Sequence, residues 1–289
     1  MYKFILALII LSGVKIAQIY EFAGEFGKFS KAMSFSVNPA GNIYICDADN
    51  NEIYKYDLSG KLLKSIGGYG TEASYFDYLA DIHSTALHVF VADKNNNRVQ
   101  IFDKDLNFIS SLTRTNNLVT QAGSDPVNIV SPVSCVCSPM EEIFILDSEN
   151  KEVLKFNFSG NLIARFGSCQ SGSYALSYPS KLLITQNSLI VLDKTELIIF
   201  DYYGNGITRV KLNEATDNLS VTSDNVIILN SREKLMTADL INGVLSSRNN
   251  LNCYGYEFEK NITKGMIYKD RLYVLTENQM LIFNKKKAE

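Results

Sequence analysis

The chain has 289 residues, 46% of them hydrophobic, with sixteen Tyr, sixteen Phe and no Trp, which is ample for a packed core and excludes a disordered chain. Its formal net charge of −3, from 28 Lys and Arg against 31 Asp and Glu, excludes a global electrostatic pull on nucleic acid or anionic lipid. Two His and five scattered Cys exclude most chemistry that needs several histidines, and no metal or other cofactor is expected.

The first segment, MYKFILALIILSGVKIAQ, places Lys3 before an apolar run from Phe4 to Leu11 and then small residues. This pattern predicts a secretory signal peptide over 1–17, too short to span a bilayer, with cleavage after Ala17 or after Gly13. The expectation is a secreted or periplasmic protein with no stable membrane insertion after signal removal. Losing Lys3 and Lys15 leaves the remainder at −5.

From residue 18 onward one phrase recurs: a hydrophobic strand, an Asp, a few polar residues, a second strand, and Asp or Asn again. It reads GNIYICDADNNEIYKYD at 41–57, HVFVADKNNNRVQIFD at 88–103 and EIFILDSENKEVLKFN at 142–157. Weaker copies are SLIVLDKTELIIFD at 188–201, NVIILNSREKLMTAD at 225–239 and RLYVLTENQMLIFN at 271–284. The anchors Asp47, Asp93, Asp147, Asp193, Asn230 and Thr276 lie 37 to 54 residues apart, the period of a radial or stacked array, and the strand content points to a propeller. Each unit divides into strands a to d. In the first, strand a is Met33–Asn38, b is Asn42–Cys46, c is Glu52–Tyr56, and the Asp57–Gly60 turn leads to d, Lys61–Ile66. The turn recurs at Asn157–Gly160, Asp201–Gly204 and Asp239–Gly243, where Asp or Asn bonds its own backbone and Gly takes the left-handed position.

The last unit stops near Asn284 without a strand d, whereas Gln18–Gly24 is a d-like strand with no a, b or c before it. Pairing the two closes the ring and removes two open edges. The fold class is therefore all-β: a six-bladed β-propeller over 18–284, its N-terminal strand closing the last blade, followed by a basic tail at 285–289. Gly and aromatic connectors link the blades, as in GEFGKFSKAMSF at 24–35, GGYGTEASYFDYLADI at 67–82 and FGSCQSGSYALSYPSKLL at 166–183. Together with Asp93-Lys-Asn-Asn-Asn-Arg98-Val-Gln-Ile-Phe102, they give a chain that resembles the NHL-repeat family of six-bladed propellers over about 18–284, fading after Asp193. The resemblance implies that the repeated Asp belongs to the framework. Some NHL proteins bind nucleic acid or act as ubiquitin-ligase adaptors, but the acidity and the leader argue against nucleic acid here.

The repeated Asp sits at the end of strand b, where it can hold its own b–c turn. Asp47, Asp93 and Asp147 are therefore expected to be structural, and no metal ligand and no catalytic residue is assigned. His83 and His88 flank one turn of the second unit and cannot form a multi-blade cluster. Nucleotide, serine-hydrolase and zinc motifs are absent from the sequence. What remains is a surface. In a four-stranded blade the b–c turns and d–a connectors share one rim, which predicts a binding site from Asp49, Asn50, Asn51, Asn95, Asn96, Asn97, Arg98, Glu149 and Asn150, with Tyr69, Tyr75 and Tyr174. The expected role is a non-catalytic binding or scaffold module for a protein, peptide or glycan. The alternative is a metal-dependent hydrolase or lyase working in the axial channel. Side chains converging on that axis discriminate the two.

Overall fold

A computed structural model describes residues 18–113, 128–241, 244–258 and 261–286. The N-terminal 1–17 segment, and with it the expected leader, lies outside the described residues. Among those described there is no α-helix, only a short 3-10 turn at Gly172–Tyr174.

The chain opens with β1 (Ile19–Phe26). Blade 1 follows as β2 (Ala32–Val37), β3 (Ile43–Asp47), β4 (Glu52–Tyr56) and β5 (Leu62–Gly67). Blade 2 is β6 (Leu79–Ser84), β7 (His88–Asp93), β8 (Arg98–Asp103) and β9 (Phe108–Leu112). Blade 3 is β10 (Pro132–Cys137), β11 (Ile143–Asp147), β12 (Glu152–Phe156) and β13 (Leu162–Phe166). Blade 4 is β14 (Pro179–Ile184), β15 (Leu189–Asp193), β16 (Glu196–Phe200) and β17 (Gly206–Lys211). Blade 5 is β18 (Asn218–Val221), β19 (Val226–Asn230), β20 (Leu235–Ile241) and β21 (Val244–Asn250), and β22 (Asn252–Tyr254) comes after it. Blade 6 holds β23 (Ile262–Tyr268), β24 (Arg271–Thr276) and β25 (Met280–Lys285).

Neighbouring strands within each blade are antiparallel, and β1 joins blade 6 beside β25, with Phe22 opposite Phe283 and Phe26 opposite Met280. This is the closure that the orphan strand predicted. A fifth strand was not expected: β22 lies parallel to the outer side of β1, with Ile19 opposite Asn252. The chain leaving blade 5 thus covers the edge that β1 would otherwise expose. The last strand runs on to Lys285, and Lys286 N–H bonds the Ile19 carbonyl at 2.9 Å, so the start of the basic tail lies against β1.

Strands b and c carry the core. Ile43–Asp47, Ile143–Asp147 and Leu189–Asp193 are buried at every position because both faces of a blade pack on neighbours. Each interface has its own cluster, such as Phe90, Ile101, Cys135 and Ile145 between blades 2 and 3, or Phe144, Leu182, Val191 and Phe200 between blades 3 and 4. Outer strands alternate in exposure, as β17 does. The five cysteines are free, and Cys46, Cys135 and Cys137 are buried as small hydrophobes.

The c–d turns follow the predicted chemistry. Asp57 Oδ1 accepts the Ser59 and Lys61 N–H groups at 2.8 and 3.0 Å, and Gly60 takes φ +85°. Asp201 and Gly204 repeat the arrangement. The predicted Asp239–Gly243 turn includes 242 and 243, which lie outside the described residues.

Candidate functional site

The connector rim is assembled by the repeated Asp. Each carboxylate is buried at the end of strand b and reaches one or two backbone N–H groups of the connector that enters strand a. Asp47 takes Ser30 and Lys31 at 2.8 and 2.9 Å. Asp93 takes Asp77 at 2.8 Å, Asp147 takes Val130 and Ser131 at 2.8 and 3.3 Å, and Asp193 takes Ser177 and Tyr178 at 2.8 and 2.5 Å. The expected bond to the b–c turn is also present: Asn50, Asn96 and Asn150 each donate a side-chain amide to their own Asp at 2.9 to 3.0 Å. The Asp therefore holds turn and connector together, and charge-assisted bonds of this kind are about twice as strong as neutral ones.

Rim residues divide by what they touch. Arg98 is buried and points inward: Nε donates to Asp93 Oδ2 at 2.7 Å, and its two terminal nitrogens donate to the carbonyls of Thr71, Glu72 and Tyr75. It locks the 68–78 connector in place. Asn51, half-buried, accepts the Tyr78 N–H at 2.8 Å, and Asn96, also half-buried, donates to the Gly70 carbonyl. Asn95 donates to Asp77, and Asn150 to the Asn128 carbonyl. Gly67, at φ +136°, opens this connector; a Cβ there would lie 2.3 Å from the Asn51 carbonyl oxygen.

Asp49, Asn50, Asn95, Asn97, Glu149 and Asn150 are exposed on the rim, as are Tyr69 and Tyr75, at 76% and 47%. Tyr174 differs. Its ring packs on Phe200 and over Gly206, and its hydroxyl donates to the Ile207 carbonyl at 3.1 Å, so it props the side of blade 4. Sequence reasoning did not single out Tyr78 and Tyr178, the residues immediately before β6 and β14. Lys31 and Lys94 lie 5.3 and 5.6 Å from the Tyr78 ring centre, and Lys151 and Lys194 lie 5.7 and 5.2 Å from that of Tyr178. These are cation–π distances.

The axis lies beneath this rim. In blades 1, 2, 3, 4 and 6 the innermost strand carries a β-bulge at one register position, so that Ser34, Asp81, Ser134, Lys181 and Lys264 pair with the penultimate residue of strand b. A bulge re-aims side chains, and here the five converge. Asp81 accepts a hydrogen bond from Ser134 and lies 3.6 Å from Lys181, which reaches across from blade 4 and also donates to the Ala80 carbonyl at 3.1 Å. Lys264 donates to Ser34 Oγ at 3.2 Å. Asp81 and Lys264 are 5% and 9% exposed. Burial raises the Asp81 carboxyl, but Lys181 and Lys264, with Ser134 and Ser34, outweigh it and hold it below the usual carboxylate value. Burial, then Lys264, pushes His83 down to about 4 against the pull of Asp81, so His83 is neutral at pH 7. Burial also lowers Lys264, with Lys181 adding to it and Asp81 opposing.

Two ammonium groups facing one carboxylate repel a divalent cation, so this donor set does not fit the metal-assisted alternative. Among the described residues no three of His, Cys, Asp and Glu gather at metal-binding distance. The axis was not legible in sequence, because its members are one residue per blade in otherwise ordinary strands.

No protein-family model matches the chain. It is similar to the human NHL repeat-containing protein 3, 33% identical over 104 residues, covering 35% of this chain and 29% of the relative. It is also similar to the RING finger protein nhl-1 of Caenorhabditis elegans, 36% identical over 53 residues, covering 18% of this chain and 5% of that one. The chain thus spans less than a third of the length of these curated relatives. Among solved structures it is similar to a streptogramin B lyase, with a TM-score of 0.67 and 12% identity over 91% of this chain and 97% of that one. A virginiamycin B lyase from Staphylococcus aureus gives 0.65 and 11% over 90% and 98%. At such identities the likeness is one of fold.

Proposed function

We propose, for a chain that is an NHL-repeat six-bladed β-propeller, the role of an exported, non-catalytic binding module that presents its connector rim to a protein, peptide or glycan. The observation that carries the reading is the contrast within the rim. Its polar turn residues are bonded inward by the Asp carboxylates and Arg98, while Tyr69 and Tyr75 stand outward from that fixed base. A tyrosine held on a rigid backbone loses little entropy on binding and offers both contact area and a hydroxyl. Export rests on the apolar segment at 4–11 after Lys3.

Two measurements test this. Mass spectrometry of the protein from its native host finds Met1 through at least Gly13 missing; an intact Met1 in a cytosolic fraction removes the export half. Capture of a partner from the host's external fraction falls at least tenfold for the Tyr69→Ala, Tyr75→Ala double variant, about 1–3 kcal/mol per anchor. Its melting temperature stays near the parent's because both rings are exposed. Unchanged capture removes the rim half, and turnover of a lactone or ester panel favours an enzyme instead.

A further inference from the structure

The axial ring is under-compensated. Lys181 and Lys264 converge on Asp81 as their one carboxylate among the residues described, and Lys264 makes its hydrogen bond to a neutral serine hydroxyl. A buried ammonium without a full counter-charge is costly, and the serines at the same level offer hydroxyls but no negative charge. The ring is reachable: Lys181 keeps 13% of its side chain open to solvent. It also lies directly beneath the connector rim, because every innermost strand begins at that rim. Lys181 is three residues, roughly 10 Å of strand, below Tyr178, and Tyr178 is 66% exposed.

The approach to the ring sets four lysines against two tyrosines. Tyr78 and Tyr178 stand at equivalent places in blades 2 and 4, and Lys94 and Lys194 follow the repeated Asp in each. The Lys94 and Lys194 N–H groups donate to the Tyr78 and Tyr178 carbonyls at 3.1 and 3.2 Å, which fixes each lysine beside its ring. Lys31 and Lys151 come in from the preceding blades. Asp49, 3.9 Å from Lys31, and Asp77, which accepts from Asn95, offset part of this charge, as does Glu149 on its turn. With Glu72 on the same connector as Asp77, the four acids balance the four lysines over blades 1 to 4, and what singles out the approach is the placement of those lysines against the Tyr78 and Tyr178 rings.

We propose that the axial ring is a carboxylate-binding site, entered from the connector rim, in which Lys264 and Lys181 take an acidic group of a bound peptide while Tyr78 and Tyr178, with their flanking lysines, hold the peptide over the mouth. The inference rests on the rim reading and names the chemistry of the partner. An entering carboxylate brings the second negative charge that the two ammoniums lack. The lowered proton affinity of Lys264 supports this, since an anion beside it would restore the charged form.

The test is fluorescence polarisation with a fluorescein-labelled tetraglutamate peptide, read against its C-terminally amidated form and against a labelled oligouridylate. The expected result is saturable peptide binding that weakens as salt rises and falls at least tenfold in Lys264→Met, which keeps an unbranched stem but removes the ammonium that stands 5.8 Å from the Phe35 ring centre. Unchanged affinity in a folded Lys264→Met protein overturns the proposal, as does oligouridylate binding more tightly than either peptide. Equal binding of the two peptides places an acidic side chain in the ring, and loss on amidation places the C-terminal carboxylate there; both uphold the site. If Lys264→Met fails to fold, reductive methylation of the parent protein decides the question: bound tetraglutamate protects Lys264 from modification, and no protection overturns the site. Absence of peptide binding in a protein whose partner capture depends on Tyr69 and Tyr75 overturns this inference and leaves the rim reading intact. Loss of both indicts the rim reading itself.

Discussion

Blades 1 to 4 and blade 5 anchor the chain as it enters the innermost strand by different chemistry. In the first four a buried carboxylate, Asp47, Asp93, Asp147 or Asp193, gathers connector N–H groups, and strand a bulges just beyond. In blade 5 the same place holds Asn230. Its amide donates to the Thr263 carbonyl at 3.1 Å, its side-chain oxygen has no hydrogen-bond partner, and its backbone carbonyl takes the Asp217 N–H. Strand β18 pairs there without a bulge. Blade 6 lies between these cases. Thr276 Oγ1 holds only its own b–c turn, through the Gln279 and Asn278 groups, yet the bulge between Ile262 and Lys264 remains. A charged acceptor is therefore not what makes the bulge; it is what ties the connector down.

Blades 5 and 6 have another source of order, the strands β1 and β22 on the closing blade. Removing 18–26 from a protein that starts at residue 18 takes away the partner of β25 and uncovers two edges. The expected outcome, the largest of those considered, is failure to accumulate soluble monomer in expression and gel filtration. A soluble monomer melting within a few degrees of the parent would show that the clamped blades hold the ring without closure.

Next in size is Asp93→Asn, which leaves the Arg98 guanidinium buried without its counter-charge. Urea unfolding should show a loss of about 3–5 kcal/mol. Asp47→Asn, which strands no cation, should cost about 1–3 kcal/mol. Equal losses would mean that Arg98 adds nothing to the clamp.

His83 sharpens the comparison from the axis of the clamped half. Its folded value of about 4 lies below the ordinary value of 6.5. Between those two the unfolded chain binds a proton that the folded chain does not, so stability falls as the pH drops from 6.5 to about 4, then levels off for this group. The fall should be about 3 kcal/mol, and His83→Gln should flatten it; an unchanged slope in that variant would relocate the titrating group. The smallest expected effect comes from chelation. The clamping carboxylates are engaged by N–H donors, so EDTA should leave the melting temperature of metal-free and metal-supplemented protein the same. A chelator-sensitive melt would contradict the structural role of Asp47, Asp93 and Asp147.

Individual elements show why some of this was legible beforehand. Strands c, such as Glu52–Tyr56, matched the sequence reading, because alternation and turn residues define them locally. The first innermost strand begins at Ala32, one residue before the expected Met33, since the pairing opposite Asp47 precedes the bulge. Strand β22 escaped notice because three residues carry no periodicity, and its partner lies more than two hundred residues away in sequence. Among rim residues, Tyr69 and Tyr75 are exposed, whereas Tyr174, legible only as a connector aromatic, packs on Phe200.

The number of blades, the phase of the strands within each and the closure by the N-terminal strand are all written in the order of residues along the chain. Those follow from hydrophobic period, from Asp and Gly turn chemistry and from the need to leave no open edge, all of which act over a few residues or over the repeat count. What occupies the axis depends instead on how the blades come together in space. Ser34, Asp81, Ser134, Lys181 and Lys264 come from five blades and meet because ring closure brings equivalent bulges to one level, and their charges interact strongly there because burial removes the water that would separate them.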